Sequence, residues 1–267
     1  MNNVNKFLFP VLISLLSWSV QAQQRKAVSF QQQVQSQKAA QSPSVNVEQS
    51  PFRITAGVEV ANADLSSLNA YRDTILWNGT TVTTGSFNNL TGFNIGAGYY
   101  WGPGYLSLEF NRESQDLPAT LVTGTGTSVQ DSIEMETLQL AYDWVFQKSQ
   151  TGSFELGLSA GMATQFKFIN IFTATGYHET LYWNDTPFVF KLRAFYNYHF
   201  SQQVRLRVGL AYESITSDNL KADSNHPNLS LYGAPITSGQ KLLDVQGKAV
   251  KVDASGARGL LGLEVAF

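Results

Sequence analysis

Eight stretches of this chain step between apolar and polar or small residues with a period of two, which confines each to an extended strand with one oily face. The last stretch shows the pattern most plainly. Counting back from the final residue puts Phe267, Val265, Leu263 and Leu261 on one face and Ala266, Glu264, Gly262 and Leu260 on the other. From Phe52 to Val60 the even positions are apolar, against Arg53, Thr55, Gly57 and Glu59. Phe93 to Trp101 repeats the pattern and stops at Gly102-Pro103-Gly104, a strong turn signal. Leu106, Leu108 and Phe110 then oppose Ser107, Glu109 and Asn111. Leu138 to Phe146 opposes Gln139, Ala141 and Asp143, and Phe154 to Met162 opposes Glu155, Gly157 and Ser159. Phe188 to Phe200 alternates with Lys191, Arg193, Asn197 and His199, and Val204 to Tyr212 with Arg205, Arg207, Gly209 and Glu213.

The connections carry independent information. The gaps after the second, fourth and sixth stretches are a few residues each, whereas those after the first, third, fifth and seventh span roughly 61–90, 112–137, 163–187 and 214–255. Short and long alternate throughout. Aromatic residues gather beside the short turns: Tyr99, Trp101, Tyr105, Tyr142, Trp144, Tyr198 and Phe200. Trp and Tyr favour a membrane–water boundary, so this set reads as a girdle. Trp77 and Trp183 fall in long gaps, where they belong to a second girdle or to a recognition surface.

Composition narrows the alternatives. A net charge of −2 with no basic block excludes a nucleic-acid reading, and the absence of cysteine removes disulfides, thiolate chemistry and cysteine-based zinc sites. Lys6, the apolar run Phe7 to Leu16 and the small-residue close Val20-Gln21-Ala22 read as a secretory signal over 1–22. No later stretch approaches the roughly 20 apolar residues of a membrane-spanning helix. A membrane-spanning form of this chain must therefore be a barrel. Residues 23–50, rich in Gln and Ser, read as a flexible tether, with a short amphipathic helix on Val28, Phe30 and Val34 as the alternative.

A chain that ends in an aromatic residue closing such a strand resembles the bacterial outer-membrane β-barrels. Over about Phe52 to Phe267 it is similar to the small eight-stranded class that includes the OmpA transmembrane domain and the OmpX and OmpW types. The resemblance implies an all-β, antiparallel up-and-down barrel over 51–267, with short periplasmic turns, four long external loops and both termini periplasmic. It also implies partners: outer-membrane lipid and lipopolysaccharide, and the barrel-assembly machinery, which reads a terminal strand such as Leu263, Val265 and Phe267.

The inward faces carry Arg53, Lys191, Arg193, Arg205 and Arg207 against Glu59, Glu109, Asp143, Glu155, Glu213 and Glu264. Eight strands leave a lumen only just wide enough for side chains, so these groups are expected to pair into an internal network. No spacing of the three histidines suits a metal, and no cofactor motif stands out. His199-Phe200-Ser201 echoes the His-x-Ser of lipid A deacylases, but it sits at a short turn and reads as structural. Thr123 to Thr127 reads as a loop tip rather than a phosphate cradle. The expectation is a non-enzymatic surface barrel acting through its loops in adhesion or recognition, or in envelope integrity. Ile75-Leu76-Trp77 and Ala249-Val250-Lys251-Val252 are expected to form strands protruding beyond the membrane. The alternatives are a narrow, porin-like channel for small or hydrophobic solutes and a lipid-modifying enzyme.

Overall fold

Backbone N–H and C=O groups have no water to bond in hydrocarbon, so a strand with an oily face must pair on both edges, and a sheet of such strands must close. The computed structural model does this; it describes residues 51–72, 85–122, 126–149, 151–231, 234–244 and 246–267. In chain order the elements are β1 (Phe52–Ala63), a short helix α1 (Ser66–Tyr71), β2 (Asn89–Trp101), β3 (Gly104–Asp116), β4 (Thr120–Val122), β5 (Thr127–Lys148), β6 (Gly152–Ala174), β7 (Tyr177–Asp185), β8 (Phe188–His199), β9 (Val204–Ser217), β10 (Lys221–Ala222), β11 (His226–Leu231), β12 (Ala234–Ile236), β13 (Val252–Asp253) and β14 (Gly256–Ala266).

Eight of these strands, β1, β2, β3, β5, β6, β8, β9 and β14, each pair antiparallel with the next. The pairing of β14 with β1, from Arg53 opposite Ala266 to Ala63 opposite Gly256, closes the cylinder. At the seam the Phe267 N–H donates to Phe52 O at 3.0 Å, and the Phe52 N–H donates to Phe267 O at 3.2 Å. The three short connections fall where expected. At the first, Gly102 takes φ +63°, a left-handed conformation that favours glycine.

The expected faces hold. Ile54, Val58, Ile95, Leu108, Leu140, Leu192, Leu210, Leu261 and Leu263 all point outward and are exposed on the protein itself, while Arg53, Glu59, Asp143, Glu155, Lys191 and Glu264 are buried within. An outer surface of this kind is stable only under hydrocarbon.

β5 and β6 depart from the expected lengths. The residues around 127–137 and 163–174, read above as loop, continue as paired strands, with Ser128 opposite Thr173 at the far end. Thr137 pairs with Ala163 and Glu136 with Gln165, so Thr164 is an extra residue on β6. This bulge flips the phase of the strand. Phe154, Leu156, Leu158 and Met162 face outward below it, whereas Phe166 and Phe168 are buried above it and Gln165 is exposed. The long-loop end thereby changes from a membrane pattern to a water-soluble one. β7 pairs with the upper part of β6, β10 with β7, and β4 with β5, which makes a raised sheet.

Leu210 in the middle of β9 and Leu121 in β4 are similarly exposed, at 69% and 65%. Only Leu210 faces lipid in this arrangement. Leu210→Arg is expected to lower unfolding stability in lipid bilayers by about 2–4 kcal/mol, and Leu121→Arg by less than about 1 kcal/mol. Denaturant titration of the two variants in liposomes measures the difference.

Candidate functional site

The lumen is filled by two ion-pair clusters. In the one nearer the short turns, Asp143 on β5 accepts from three arginines: Arg53 on β1, Arg193 on β8 at 2.8 Å and Arg207 on β9 at 2.9 Å. Glu155 bonds Arg53 and Arg207, each at 3.1 Å, and Glu264 bonds Arg53 at 3.3 Å and Arg205 at 2.7 Å. Glu109 completes the cluster through Arg193. Four cations meet four carboxylates there, and inward aromatic faces cover three of the cations, Arg193 lying 5.4 Å from the centroid of Phe195. The Arg207 guanidinium lies 3.6 Å from the centroid of Phe195, and that of Arg53 4.1 Å from Tyr105. Gly157 is required beside them, because a Cβ there would come within 1.9 Å of Asp143 Oδ1.

The second cluster lies further along the axis. Lys191 bonds Glu59 at 2.9 Å and Glu213 at 3.1 Å, and Arg258 reaches Glu213 at 2.9 Å, Glu113 at 3.3 Å and Glu59 at 3.6 Å. Gln139 joins the cluster, accepting from Ser159 at 2.6 Å and donating to Glu213 at 3.3 Å. All eleven charges expected in the interior are there. Arg258 and Glu113 were missed because the alternation was traced only from Gly259 and only to Asn111. Extending each strand by one period would have found both. A cavity of about 20 Å3 lined by Thr55, Asn94, Glu109, Lys191, Arg193 and Arg207 remains, room for about one water.

Above the second cluster the inward faces turn apolar. Ala61, Ala63, Ile133, Met135, Phe166, Phe168, Val189 and Ile215 meet residues from the long connections, including Leu65, Leu68, Phe87, Leu117, Leu220, Leu242, Val250 and Val252. They form a core that caps the barrel. A polar chain crosses it: Arg72 donates to Asp131 at 2.6 Å, Asn170 donates to Asp131 at 2.7 Å, and the Trp183 indole donates to Asn170 at 3.1 Å. Arg72 also bonds the Gly85 carbonyl at 3.0 Å, which fastens α1 and its connection to β5 and β6.

Several expected surface residues are thereby corrected. Trp183 belongs to neither a girdle nor a recognition surface, because the bulge in β6 and its pairing with β7 carry the indole inward. Tyr105 does not join the outer aromatic ring: it is fully buried under Arg53. Val250 and Val252 are buried in the cap, and β13 makes only a two-residue pairing with β9, so that segment does not protrude as an open strand. The raised sheet comes from β5, β6 and β7 instead. Ile75, Leu76, Trp77 and 123–125 lie outside the described residues.

The other expected positions are where the alternation puts them. Tyr99, Trp101, Trp144, Tyr198 and Phe200 are exposed near the short turns and Tyr142 is half-buried there, donating to the Trp101 carbonyl at 3.0 Å. Leu263, Val265 and Phe267 are exposed on the outer face of the closing strand end. His199 contacts Ser153 at 3.3 Å, while the Ser201 hydroxyl accepts the N–H groups of Gln203 and Val204 and so caps the turn.

The raised sheet carries its own polar features. Register aligns Glu134, Lys167, Asn184 and Lys221, with Lys241 bridging Lys221. An open recess of about 420 Å3 lies here, lined by Gln165, Lys167, Asn184, Asp185, Asn219 and Lys221 among others. Further out, Tyr177 donates to Glu179, and Glu179 meets His226 at 2.7 Å. Burial and that contact push the Tyr177 hydroxyl up to about 12. Burial pushes the Glu179 carboxyl up, but hydrogen bonds from Tyr177 and His226 outweigh it and hold the group below the usual range.

Removing Asp143 leaves three buried guanidinium groups without their shared partner. Asp143→Asn is expected to cost about 3–5 kcal/mol, measured as a lower denaturant midpoint of the refolded barrel.

No protein-family model matches the chain, and no curated protein matches it. Among solved structures, Neisserial surface protein A is similar with 13% identity and a TM-score of 0.40, covering 81% of this chain and 97% of that one. OprG from Pseudomonas aeruginosa has 12% identity and a TM-score of 0.38 over 82% and 96%, and the outer membrane protease OmpT from Escherichia coli 8% and 0.38 over 85% and 99%. Closed in register through eight antiparallel strands, apolar without and ionic within, this chain has the fold of the small outer-membrane β-barrels.

Proposed function

We propose that the barrel anchors this protein in the outer membrane of a Gram-negative cell, with both termini periplasmic, and that it works at the cell surface through its long-loop end. In this reading residues 1–22 are a cleaved secretory signal, Leu263, Val265 and Phe267 present the closing strand to the assembly machinery, and lipopolysaccharide surrounds the outer rim. The activity is binding, in adhesion or recognition, rather than chemistry in the barrel wall.

One observation carries the reading: the interior is shut twice, by the ion-pair clusters and by the apolar cap, while a paired sheet rises past the lipid-facing belt. A scaffold rigid to its rim is suited to presenting residues to a partner. The same filling opposes the channel reading, since a conducting path would have to displace both buried layers.

Two measurements test this. Planar-bilayer recordings of the refolded protein are expected to show no conductance above background; stable channels would favour the transport reading. Shortening the β6–β7 hairpin from Phe172 to Glu179 is expected to abolish cell or matrix binding while the barrel still folds, as judged by heat-dependent gel mobility. Unchanged binding and an unchanged envelope phenotype would remove the surface role.

A further inference from the structure

Three side chains near the outer edge of the raised sheet stand in an order with chemical meaning. Ser224 Oγ lies 3.0 Å from His226 Nε2, and His226 Nδ1 lies 2.7 Å from Glu179 Oε1. The second carboxylate oxygen of Glu179 accepts from the Tyr177 hydroxyl. An ionised carboxylate can only accept, so Nδ1 carries a proton, and in the neutral ring Nε2 is the acceptor facing the serine hydroxyl. This is the arrangement of nucleophile, base and orienting carboxylate required for acyl transfer.

The chain builds it from two elements. Ser224 lies in the bend before β11 and His226 opens that strand, and Glu179 comes from β7, held beside them because Ala222 pairs with Trp183 and the Asp223 N–H donates to Tyr182 O at 3.0 Å. His226 is buried and Ser224 half-buried, so the base is fixed and the hydroxyl still reachable. The Ser224 hydroxyl donates to Asp223 Oδ1 at 3.0 Å, and that oxygen lies 3.6 Å from His226 Nε2, so the serine proton turns from Asp223 to Nε2 before it is transferred. The Asn225 amide oxygen takes the Ser238 N–H at 2.8 Å, which fixes the residue adjoining the nucleophile.

We propose that Ser224, His226 and Glu179 form an esterase site on the external sheet, acting on short-chain carboxylic esters of polar alcohols. The substrate class follows from position. Glu179 lies five residues along β7 from Asn184, about 16 Å beyond the lysine row at strand rise, and its hydrogen-bond partners are the polar side chains of Tyr177, His226 and Asn228. Ser224 Oγ attacks the carbonyl carbon and its proton passes to His226 Nε2. The bond to the alcohol breaks and the leaving oxygen takes that proton. Water then gives a proton to His226 and attacks the acyl-serine, and the proton returns to Ser224 Oγ as the carboxylic acid leaves. Glu179 positions the imidazole through Nδ1–H. This goes beyond the binding role proposed above; because the hairpin deletion also removes Glu179, the two are told apart by Ser224→Ala, which leaves the hairpin and its binding intact.

The test uses the full chain refolded in detergent, with a fluorophosphonate as covalent probe and p-nitrophenyl acetate as ester. Peptide mass spectrometry is expected to find the probe on Ser224. Ser224→Ala is expected to abolish labelling and, with His226→Ala, to lower ester hydrolysis at least about 100-fold. Glu179→Gln, which keeps shape and can still hydrogen-bond, is expected to lower it at least about tenfold with KM unchanged, a split that a purely structural role would not give. Heat-dependent gel mobility confirms that each variant is folded. Absence of label on Ser224 in the folded protein, or labelling and hydrolysis unchanged in His226→Ala and Glu179→Gln, overturns the assignment and leaves the three residues as a clamp between β7 and β11.

Discussion

The absence of hydrogen-bond partners in hydrocarbon governs this molecule. It obliges every strand edge in the lipid belt to be paired, and the pairing of β14 with β1 is the step that satisfies the obligation. Closure at eight strands then fixes a narrow lumen, and a narrow lumen lined by arginine, lysine and carboxylates leaves those charges room for scarcely any water. They can be tolerated only by meeting one another. The ion-pair clusters are thus a consequence of closure, and their geometry in turn demands small residues such as Gly157 where long side chains cross.

A second transition occurs at the bulge on Thr164. Below it the chain obeys the rules of a protein in lipid, with apolar groups outside. Above it the same two strands obey those of a protein in water, burying Phe166 and Phe168 and exposing Gln165. One inserted residue suffices because strand side chains alternate with a period of two, so a single-residue shift exchanges the faces. The cap built on that inverted pattern lets the long connections pack against a core rather than extend freely, and it brings β7, β10 and β11 together.

Nearly all of the membrane-level fold was legible in the sequence, since Leu261, Leu263, Val265 and their counterparts can alternate with charged residues only on a strand exposed to two different solvents. The eleven interior charges followed from the same count. What escaped was everything set by long-range contact. Trp183 and Tyr105 carry no local sign that they are buried, and the phase of Phe166 depends on a bulge that only its partner strand reveals. The Ser224, His226 and Glu179 cluster brings Glu179 against a histidine 47 positions further along the chain, and nothing in the sequence around any one of the three marks it.

The central claim is that the wall separates lipid from a sealed ionic interior, and the absence of native cysteine allows it to be tested residue by residue. Single cysteines from Leu260 to Val265, spin-labelled in bilayers, can be probed by collision with oxygen, which concentrates in lipid, and with a water-soluble nickel chelate. The account predicts a period of two, with labels at Leu261, Leu263 and Val265 accessible to oxygen and those at Leu260, Gly262 and Glu264 shielded from both reagents. The opposite phase, no period, or free access of the chelate to the Glu264 face would contradict it.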